Sequence, residues 1–534
     1  MEFEKFQFPS RRSNIVARNG LVATSQPLAA QAGLDVLKAG GNAVDATIAT
    51  IATLCVVEPC FTGVGGDAFA LIWLAESGKL VGLNASGPAP QKLTADLLRQ
   101  QGHDTMPALG PLAVTVPGSI RGWQLALERY GTMGLDSLLA RPIAYARDGY
   151  AVSQYIARAW ARSTEKMSVY PNSKRVWLPD GRAPRPAELF RNPEFASTLQ
   201  TLAQDGFDAF YTGEIGRQIA QCVQAAGGVL TEDDLANYQA EWVEPISVNY
   251  HGYTFHEIPP NGQGLTALLA FNIAAGFDLN AMGYGTADYY HTLIEAIKLA
   301  FADAHAYIAD PKQATIPLTG LLSHEYTRQR RSLISPQQAQ TPQCGYPPRH
   351  GDTVYLTVAD GQGNMVSWIQ SLYMGFGSGL TAGTTGVQLQ NRGANFSLEP
   401  GHPNEVAPGK RPYNTIIPGF ITKDGQPFSS FGVMGGFMQP QGHLQVGMNL
   451  VDFGMDPQTA LDAPRFNWQH DKQVMLEATV ADPIREDLIH RGHQLTPKDQ
   501  RMYFGAGQAI VRDPDSGVLI GGSEPRVDGS AVGY

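Results

Sequence analysis

The spacing of apolar residues near the start of the chain predicts a helix. Ser25-Gln-Pro27 is typical of a helix start, because serine caps the first turn and proline fits the first helical position. The leucines that follow recur at helical spacing, at Leu28, Leu34 and Leu37. Gly40-Gly41 predicts the end of this helix, since glycine tolerates the left-handed backbone found just beyond a helix C-terminus.

A second helix, apolar on nearly every side, is predicted over residues 43–57. Asn42 is placed to cap it, and Asp45 lies in its first turn, where a negative charge is favourable. A helix without a polar face is expected to be buried. Beyond a glycine-rich break, residues 68–74 have the pattern of a buried strand. Further helices are predicted over residues 120–166, 195–226, 265–274 and 289–309, with a short strand at 255–258.

Residues 328–352 differ in kind, because they are polar and rich in arginine, glutamine and proline. This composition predicts a poorly ordered linker. Directly after it, apolar and polar residues alternate over 353–358, and a Gly-Gln-Gly-Asn turn separates them from a second strand at 365–372. These signals predict a β-hairpin.

The register of that hairpin brings two hydroxyl groups together. It places Thr353 opposite Ser371, within one residue. The pair lies at the open end of the hairpin, just after the predicted linker. An ordinary cross-strand pair of hydroxyl side chains is the alternative interpretation, and the pattern by itself favours that alternative.

Composition and charge restrict the classes of function. The chain has 534 residues, of which 43% are hydrophobic and 16% charged, so a large buried core is expected. The net charge of -10 disfavours nucleic acid as a partner, because phosphate binding needs a basic face. The start of the chain lacks an apolar signal segment, and no apolar stretch is long enough to span a membrane. We therefore predict a cytoplasmic protein that contacts neither nucleic acid nor membrane.

The cysteines give no indication of a metal site. No two of the four are spaced as a CxxC pair, and free thiols in a reducing compartment are the expected state of Cys55, Cys60, Cys222 and Cys344. The serine-hydrolase elbow, the HExxH helix and the P-loop are also missing. Gly63-Val-Gly-Gly-Asp-Ala68 comes close to a dinucleotide-binding fingerprint, but no clean strand precedes it. The hypothesis of a nucleotide-dependent oxidoreductase depends on this glycine run alone.

A series of short motifs occurs in a characteristic order over about residues 15–534. In the first part of the chain these motifs are Gly40-Gly-Asn-Ala-Val-Asp-Ala46, Val57-Glu-Pro59, Gly63-Val-Gly-Gly66, Val116-Pro-Gly118, Gly227-Gly-Val-Leu-Thr231, Pro259-Pro260, Glu295-Ala-Ile-Lys298 and Asp310-Pro311. In the second part they are Thr353, Asp360, Gly363-Asn364, Phe376-Gly-Ser-Gly379, Lys410-Arg-Pro412, Gly435-Gly436, Ala463-Pro-Arg465 and Glu524-Pro-Arg526. In this order the motifs resemble the γ-glutamyltransferase family, a group of N-terminal nucleophile hydrolases.

The resemblance implies an α/β (α+β) fold, a four-layer αββα sandwich, and a precursor that cleaves itself between Asp352 and Thr353. The products would be a large α subunit, residues 1–352, with the linker at about 328–352, and a small β subunit, residues 353–534, together forming one αββα unit. A threonine hydroxyl needs a base to act as a nucleophile. The α-amine that cleavage frees has an ordinary pKa of about 8 and lies on the same residue, so it can supply that base.

The resemblance also assigns roles around the nucleophile. Ser371 matches the hydroxyl that hydrogen-bonds the nucleophile. Gly435 and Gly436 match the pair whose backbone N–H groups form the oxyanion hole, where glycine allows the backbone to approach the substrate closely.

The expected substrate pocket departs from that of glutamyl-specific family members. Ser86 stands where they have the arginine that binds the substrate α-carboxylate, and Asn395 where they have the acidic residue for the α-amine. Asn414 and Thr415 correspond to two serines that assist carboxylate binding, and Tyr373 to an asparagine near the nucleophile. A serine cannot replace the two-pronged contact between arginine and carboxylate.

Three arginines in these segments are the candidates for a substituted carboxylate contact. Arg392 is the best candidate for binding a substrate carboxylate, since it lies beside Asn395 in the substrate-binding stretch. Arg411 lies in the Lys410-Arg-Pro412 motif, and Arg121 follows Pro117-Gly118. For each a structural ion pair is the alternative, and for Arg121 it is the interpretation we prefer.

The leading functional hypothesis is an amidohydrolase that forms an acyl-enzyme on Thr353 with a small carboxylate-bearing amide such as oxamate. Glutathione hydrolysis with γ-glutamyl transfer is the first alternative, and a catalytically silent binding protein, which would not cleave itself, is the second. The chemistry calls for no metal or organic cofactor. The family leads us to expect an αβ heterodimer, alone or paired as α2β2.

Overall fold

A computed structural model of the protein describes Phe8, Ser10 and residues 12–342, 352–498 and 501–534. Cys344 and residues 343–351 of the predicted linker lie outside the described residues. In chain order the strands are β1 (Ile15–Ala17), β2 (Gly20–Thr24), β3 (Asp67–Leu74), β4 (Lys79–Ala85), β5 (Tyr150–Ala151), β6 (Leu189–Phe190), β7 (Glu241–Val243), β8 (Ile246–Tyr250), β9 (Tyr253–Glu257), β10 (Asp352–Asp360), β11 (Met365–Tyr373), β12 (Thr381–Ala382), β13 (Val387–Gln388), β14 (Gly419–Lys423), β15 (Gln426–Met434), β16 (Phe466–His470), β17 (Gln473–Glu477), β18 (Gln494–Lys498), β19 (Ala506–Arg512), β20 (Leu519–Ser523) and β21 (Ser530–Gly533).

Helices flank these strands on both sides. They are α1 (Pro27–Lys38), α2 (Ala43–Val57), α3 (Ala95–Gln100), α4 (Ser119–Tyr130), α5 (Leu135–Asp148), α6 (Gln154–Ala161), α7 (Thr164–Ser168), α8 (Pro171–Trp177), α9 (Pro193–Asp205), α10 (Asp208–Tyr211), α11 (Glu214–Ala225), α12 (Glu232–Ala236), α13 (Gly264–Ala274), α14 (Leu279–Met282), α15 (Ala287–Tyr307), α16 (Leu318–Leu321), α17 (His324–Arg331), α18 (Met438–Val451), α19 (Pro457–Asp462) and α20 (Asp482–His490), with 3-10 turns at Pro111–Ala113, Arg392–Asn395 and Arg501–Phe504. None of the helices in the described residues is long and apolar enough to cross a membrane.

Two stacked seven-stranded sheets form the centre of the molecule. The strand order is β1-β20-β19-β15-β14-β9-β8 in the first sheet and β21-β2-β10-β11-β3-β4-β7 in the second. Neighbouring strands in both sheets are antiparallel. One apolar cluster packs α1, α2 and α5 on the second sheet, one lies between the sheets, and one packs α13, α15 and α18 on the first sheet. The predicted four-layer αββα sandwich is confirmed.

The alternation along β10 divides its side chains between two layers. Val354, Leu356 and Val358 belong to the cluster beneath α1 and α2, whereas Tyr355 belongs to the cluster between the sheets. The Tyr355 ring packs against Gly432 of β15, where a Cβ atom would collide with the ring. Residues at odd positions of β10, Thr353 among them, therefore face the first sheet.

The first two helices form where the sequence predicts them, with one difference at the start of α1. The N-cap residue is Gln26, whose side-chain oxygen accepts hydrogen bonds from the N–H groups of Leu28 and Ala29 at 2.6 and 3.3 Å. Ser25, which the sequence suggests as the cap, instead donates to the buried carboxylate of Glu58 at 2.7 Å. Because the Ser25 hydroxyl bonds to Glu58, the side chain of the next residue, Gln26, caps the helix.

The described part of the predicted linker is structured. Residues 328–331 are the last turn of α17, where the Arg331 guanidinium donates to the carbonyls of Ile273 and Asn272 at 2.9 and 2.7 Å. The following segment is also held, since Gln340 N–H donates to Glu295 at 3.1 Å. The composition predicts a poorly ordered segment from residue 328, but the described residues up to 342 are structured, because Arg330 and Arg331 donate to backbone carbonyls of α15 and α13.

The glycine run at residues 63–66 serves packing. A Cβ atom on Gly65 would overlap the Gln388 carbonyl, and one on Gly66 would overlap the Ser371 carbonyl. Strand β3, and not a helix, follows the run. A dinucleotide site needs a helix N-terminus after its glycines, so the structure does not support that alternative.

Candidate active site around Thr353

Thr353 is the second residue of β10 and lies at an irregularity in the pairing of β10 with β11. Asp352 pairs with Tyr373 and Val354 with Gln370, so the register shifts at Thr353. The Thr353 side chain is buried, and its Oγ1 lies 3.4 Å from Ser371 Oγ. The predicted register is confirmed to within one residue. The extra residue lies in β11, where Ser371 and Leu372 together stand opposite Thr353, as in a β-bulge.

Ser371 is held in place by the backbone. Its Oγ accepts a hydrogen bond of 2.6 Å from the Tyr373 N–H. This contact fixes the Ser371 oxygen beside Thr353. The same oxygen accepts the Thr353 hydroxyl at 3.4 Å, so two donors meet at Ser371 Oγ.

Gln439 is a second group at the Thr353 hydroxyl, and it is absent from the residues predicted from the sequence. Its Nε2 lies 3.4 Å from Thr353 Oγ1, and its Oε1 accepts a hydrogen bond of 2.8 Å from Ile417 N–H. Gln439 is buried in the first turn of α18. The sequence signal for Gln439 is its position three residues after Gly436. A helix that starts just after the glycine pair has its first turn beside the predicted oxyanion hole.

Gly435 and Gly436 connect β15 to α18 with backbone angles that favour glycine. Their φ angles are 129° and 61°. The Gly435 carbonyl accepts from Met438 N–H at 3.1 Å, and the Gly436 carbonyl accepts from Gln439 N–H at 3.1 Å and from Gln263 Nε2 at 2.9 Å. The turn therefore lies at the N-terminus of a 14-residue helix, where backbone N–H groups favour negative charge.

Arg392 lies fully buried beside this site and stacks on Tyr373. Its Nη1 donates to Thr415 Oγ1 at 2.7 Å, its Nε lies 3.8 Å from Asp67 Oδ2, and its guanidinium carbon is 4.7 Å from the Tyr373 ring centroid. Its Nε and Nη2 have no hydrogen-bond partner among the described residues. Burial lowers the pKa of Arg392 to about 10, although the nearby Asp67 carboxylate opposes that change.

Asp67 joins several predicted substrate-binding segments. Its carboxylate accepts hydrogen bonds from Gly87 N–H at 2.9 Å, from Gln390 Nε2 at 2.9 Å and from Asn414 Nδ2 at 3.2 Å. Burial raises the pKa of Asp67 to about 6, against the lowering effect of Arg392 and of these hydrogen bonds. The predicted residue Asn414 thus supports Asp67.

Ser86, Arg411 and Arg121 belong to structural contacts. Ser86 is buried and accepts a hydrogen bond from Asn261 Nδ2 at 2.9 Å. Arg411 donates to the Ser86 carbonyl at 3.0 Å and forms an ion pair with Glu241. Arg121 forms an ion pair with Asp208 at 2.6 Å and stacks on Tyr211, as the structural interpretation expects.

A cavity of about 400 Å³ opens beside the site. Tyr373, two residues after Ser371, and Phe437, directly after Gly436, both line it. Asn395 lines it as well, and its Nδ2 has no hydrogen-bond partner among the described residues. Arg392 does not line the cavity and lies against the Tyr373 ring. The structure thus brings together Thr353, Ser371 and the first turn of α18, with a cavity next to them.

The family model described as Gamma-glutamyltranspeptidase matches residues 29–534. The chain belongs to the γ-glutamyltransferase family. It is therefore an enzyme, a hydrolase with the fold of the N-terminal nucleophile group.

Individual family members show similarity over nearly the whole chain. The glutathione hydrolase-like YwrD proenzyme of Bacillus subtilis is 36% identical, with 97% of this chain and 99% of that protein covered. The oxamate amidohydrolase proenzyme of Klebsiella pneumoniae is 35% identical, with 98% and 100% covered. The crystal structure of cephalosporin acylase from Bacillus halodurans is 50% identical and superposes with a TM-score of 0.94, covering 99% of this chain and 98% of that one.

One group of side chains in the protein has the composition of a metal site. Among the described residues, His291, Glu295 and His493 offer ligand atoms that all lie within 4.8 Å of one another. However, His291 Nδ1 faces His493 Nε2 at 2.8 Å, and the Lys298 ammonium lies 2.6 Å from Glu295 Oε1. The two histidine nitrogens bond to each other, and Glu295 already pairs with the Lys298 ammonium, which disfavours a metal cation at this position. The expectation of a reaction without metal or cofactor remains a prediction.

Proposed function

We propose that the protein is an amidohydrolase whose nucleophile, Thr353, is exposed when the precursor cleaves its own Asp352–Thr353 bond. The observation that supports this most directly is the position of Thr353 Oγ1, which lies 3.4 Å from both Ser371 Oγ and Gln439 Nε2. A buried threonine that begins a sheet strand beside two hydrogen-bonding side chains is held in one orientation. Family membership, and two relatives named as proenzymes, support the same assignment.

Cleavage of the precursor converts Thr353 into a residue with its own base. Its hydroxyl oxygen attacks the carbonyl carbon of residue 352, the peptide nitrogen leaves as the α-amine of Thr353, and water hydrolyses the resulting ester. The products are a carboxylate at residue 352 and a free amine at Thr353. That amine then accepts the hydroxyl proton in each catalytic cycle.

Turnover repeats this chemistry on a substrate amide. Thr353 Oγ1 attacks the amide carbonyl, the C–N bond breaks, and the amine product leaves with a proton. Water then hydrolyses the acyl ester and regenerates the hydroxyl group. The N–H groups of Gly435 and Gly436 are the proposed donors to the oxyanion, and loss of one such donor typically costs about 3–4 kcal/mol of transition-state stabilisation.

The identity of the amide is the finer question. Three of the relatives carry different substrate names, at 36%, 35% and 50% identity to this chain. A carboxylate-bearing, oxamate-like substrate stays a prediction, because it depends on Arg392, which does not line the cavity. Glutathione hydrolysis stays the alternative. Cytoplasmic location and the pairing of heterodimers also remain predictions from the sequence.

Intact-mass spectrometry tests the nucleophile. We expect the purified wild-type chain to give two fragments that meet between residues 352 and 353, and Thr353→Ala to remain a single chain. Thr353→Ser is the matched control, because it keeps a hydroxyl and should still cleave. A wild-type chain that stays uncut after prolonged incubation would overturn the proposal and favour the silent binding protein.

A further inference from the structure

The cavity beside Thr353 is large for the smallest amides that the family relatives suggest. Its volume of about 400 Å³ falls within the range of pockets that enclose drug-sized ligands, about 300–1,000 Å³. Oxamate would fill only a small part of it. A substrate matched to this cavity is therefore much bulkier than oxamate.

One wall of the cavity is a set of flat rings. Tyr413 and Phe437 have ring centroids 5.7 Å apart with an interplanar angle of 30°, and His305 stacks on Tyr413 at 5.8 Å and 21°. Loss of solvation lowers the pKa of His305 to about 4, so this ring is neutral at pH 7. Tyr373 adds a further ring to the lining. Such a wall favours an aromatic ligand, since offset ring contacts contribute beyond the area that they bury.

Exposed carboxylates form part of the lining of the cavity. Asp104 and Glu399 line it with exposed side chains, which places them at its open end. Neither forms an ion pair with a described residue. The described residues that line the cavity include His402 but no lysine or arginine. Arg99 donates to the carbonyl of the lining residue Leu398 at 2.8 Å, and its charge is offset by ion pairs with Asp96 and Glu405. The open end therefore attracts a cation and repels an anion.

We propose that this cavity holds the larger part of the amide substrate, an aromatic group that carries an ammonium group at its outer end. The inference rests on the proposed cleavage of an amide by Thr353, and it names the class of amide. It differs from the carboxylate-bearing class expected from the sequence. The ring lies against Tyr413 and Phe437, and the ammonium group reaches Asp104 and Glu399.

Three acetanilides that differ only at the para position test the charge preference. They carry an aminomethyl group, a hydrogen atom or a carboxylate. We expect the mature wild-type protein to bind the aminomethyl compound at least about fivefold more tightly than the carboxylate compound in calorimetric titrations, with the unsubstituted compound between them. The values of kcat/KM, compared with those for oxamate and glutathione, should follow the same order.

Charge variants locate the preference. Asp104→Asn with Glu399→Gln should reduce the difference between the charged compounds to less than about twofold, as should 0.5 M salt. Asp136→Asn with Glu76→Gln is the matched control, because it removes two exposed carboxylates that do not line the cavity. This control should keep the preference of the wild type.

The outcomes separate this inference from the proposed function. Equal or tighter binding of the carboxylate compound, or no binding of any of the three, would overturn the inference even if the chain matures normally. Better turnover of oxamate than of every aromatic amide would overturn it as well. An uncut wild-type chain would instead count against the proposed function, and the binding titrations can still be made on that chain.

Discussion

Two side chains determine the environment of the Thr353 hydroxyl. Ser371 comes from the neighbouring strand, and Gln439 comes from the first turn of α18. The amide of Gln439 also accepts from the backbone N–H of Ile417, so its orientation is fixed before any substrate binds. A donor that is already oriented loses little entropy when the transition state forms. Its contribution to the activation free energy is therefore expected to exceed its contribution to the free energy of unfolding.

Gln439→Ala should slow turnover more than it destabilises the fold. A lost buried hydrogen bond costs about 1–3 kcal/mol, which corresponds to a decrease of about fivefold to a hundredfold in kcat. The measurement is kcat for any amide that the mature protein hydrolyses, together with the rate of precursor cleavage. Gln445→Ala is the matched control on the same helix, since Gln445 is buried and bonds to Phe466, away from Thr353. A control that lowers kcat as much as Gln439→Ala would contradict this role.

The buried carboxyl of Asp67 gives a pH dependence of stability with a defined sign. Its pKa of about 6 in the fold lies above its ordinary value of 3.8. Because the folded state holds the proton more tightly, the stabilising contribution of this group is complete below about pH 4 and is lost as the pH rises through 6. The shift corresponds to about 3 kcal/mol in all.

Asp67→Asn removes that titration, so the difference in unfolding free energy between wild type and variant should change with pH. We expect the wild type to lose up to about 3 kcal/mol relative to the variant between pH 4 and pH 7.5. Urea unfolding at several pH values measures this difference. Asp96→Asn, at an exposed position, should show no such trend. A difference that is constant with pH would show that Asp67 is not the titrating group.

At the scale of elements, the hairpin of β10 and β11 and the helix α2 beneath it position Thr353. Helix α2 begins with a capping box, in which Asn42 accepts from Asp45 N–H at 3.0 Å and Asp45 accepts from Asn42 N–H at 3.0 Å. The next N–H group, that of Ala43, donates to Asp360 at the end of β10 at 2.9 Å. The start of the helix and the far end of β10 are therefore fixed to each other.

Asn42→Ala should lower the free energy of unfolding by about 1 kcal/mol, the usual cost of losing a helix cap. Cleavage of the precursor should proceed at the wild-type rate, because Asp360 lies at the opposite end of β10 from Thr353. Thermal unfolding and intact mass measure the two effects. Asn42→Asp keeps the capping oxygen and should retain most of the stability. A variant that folds normally but stays uncut would contradict this separation.

At the scale of the whole molecule, the two predicted subunits are interleaved in both sheets. Strands β10 and β11 lie between β2 and β3, while β21 covers the other edge of β2. In the other sheet, β14, β15, β19 and β20 lie between β1 and β9. Five of the strand pairs in the two sheets therefore join residues before 352 to residues after it, namely β2–β21, β2–β10, β3–β11, β1–β20 and β9–β14.

The two fragments should stay together after cleavage, because separating them would break these pairs and expose the core between the sheets. We expect the mature protein to elute from a sizing column as one species at the volume of uncut Thr353→Ala. Denaturant should release the two pieces. Separation of the fragments at micromolar concentration without denaturant would contradict the interleaved arrangement.

The sequence by itself determined the features that depend on neighbouring residues. The cap at Asn42, the hairpin after residue 352 and the pairing of Thr353 with Ser371 follow from turn chemistry and from periodicities that act over a few positions. The ordered series of motifs also identified the family and the αββα sandwich. Polar composition, by contrast, was misleading at residues 328–342, because it does not reveal that arginines bond to the carbonyls of other helices.

The tertiary structure alone decided how the surroundings of Thr353 are assembled. Gln439 reaches the hydroxyl only because α18 starts at the Gly435–Gly436 turn and points its first turn at β10. Arg392 looks in the sequence like a free cation for a substrate, but the fold buries it against Tyr373 and Asp67. The ring wall of the cavity joins His305, Tyr413 and Phe437, which are more than a hundred residues apart at the extremes. Contacts of such separation leave no periodic trace in a sequence, since they arise only when layers pack against each other.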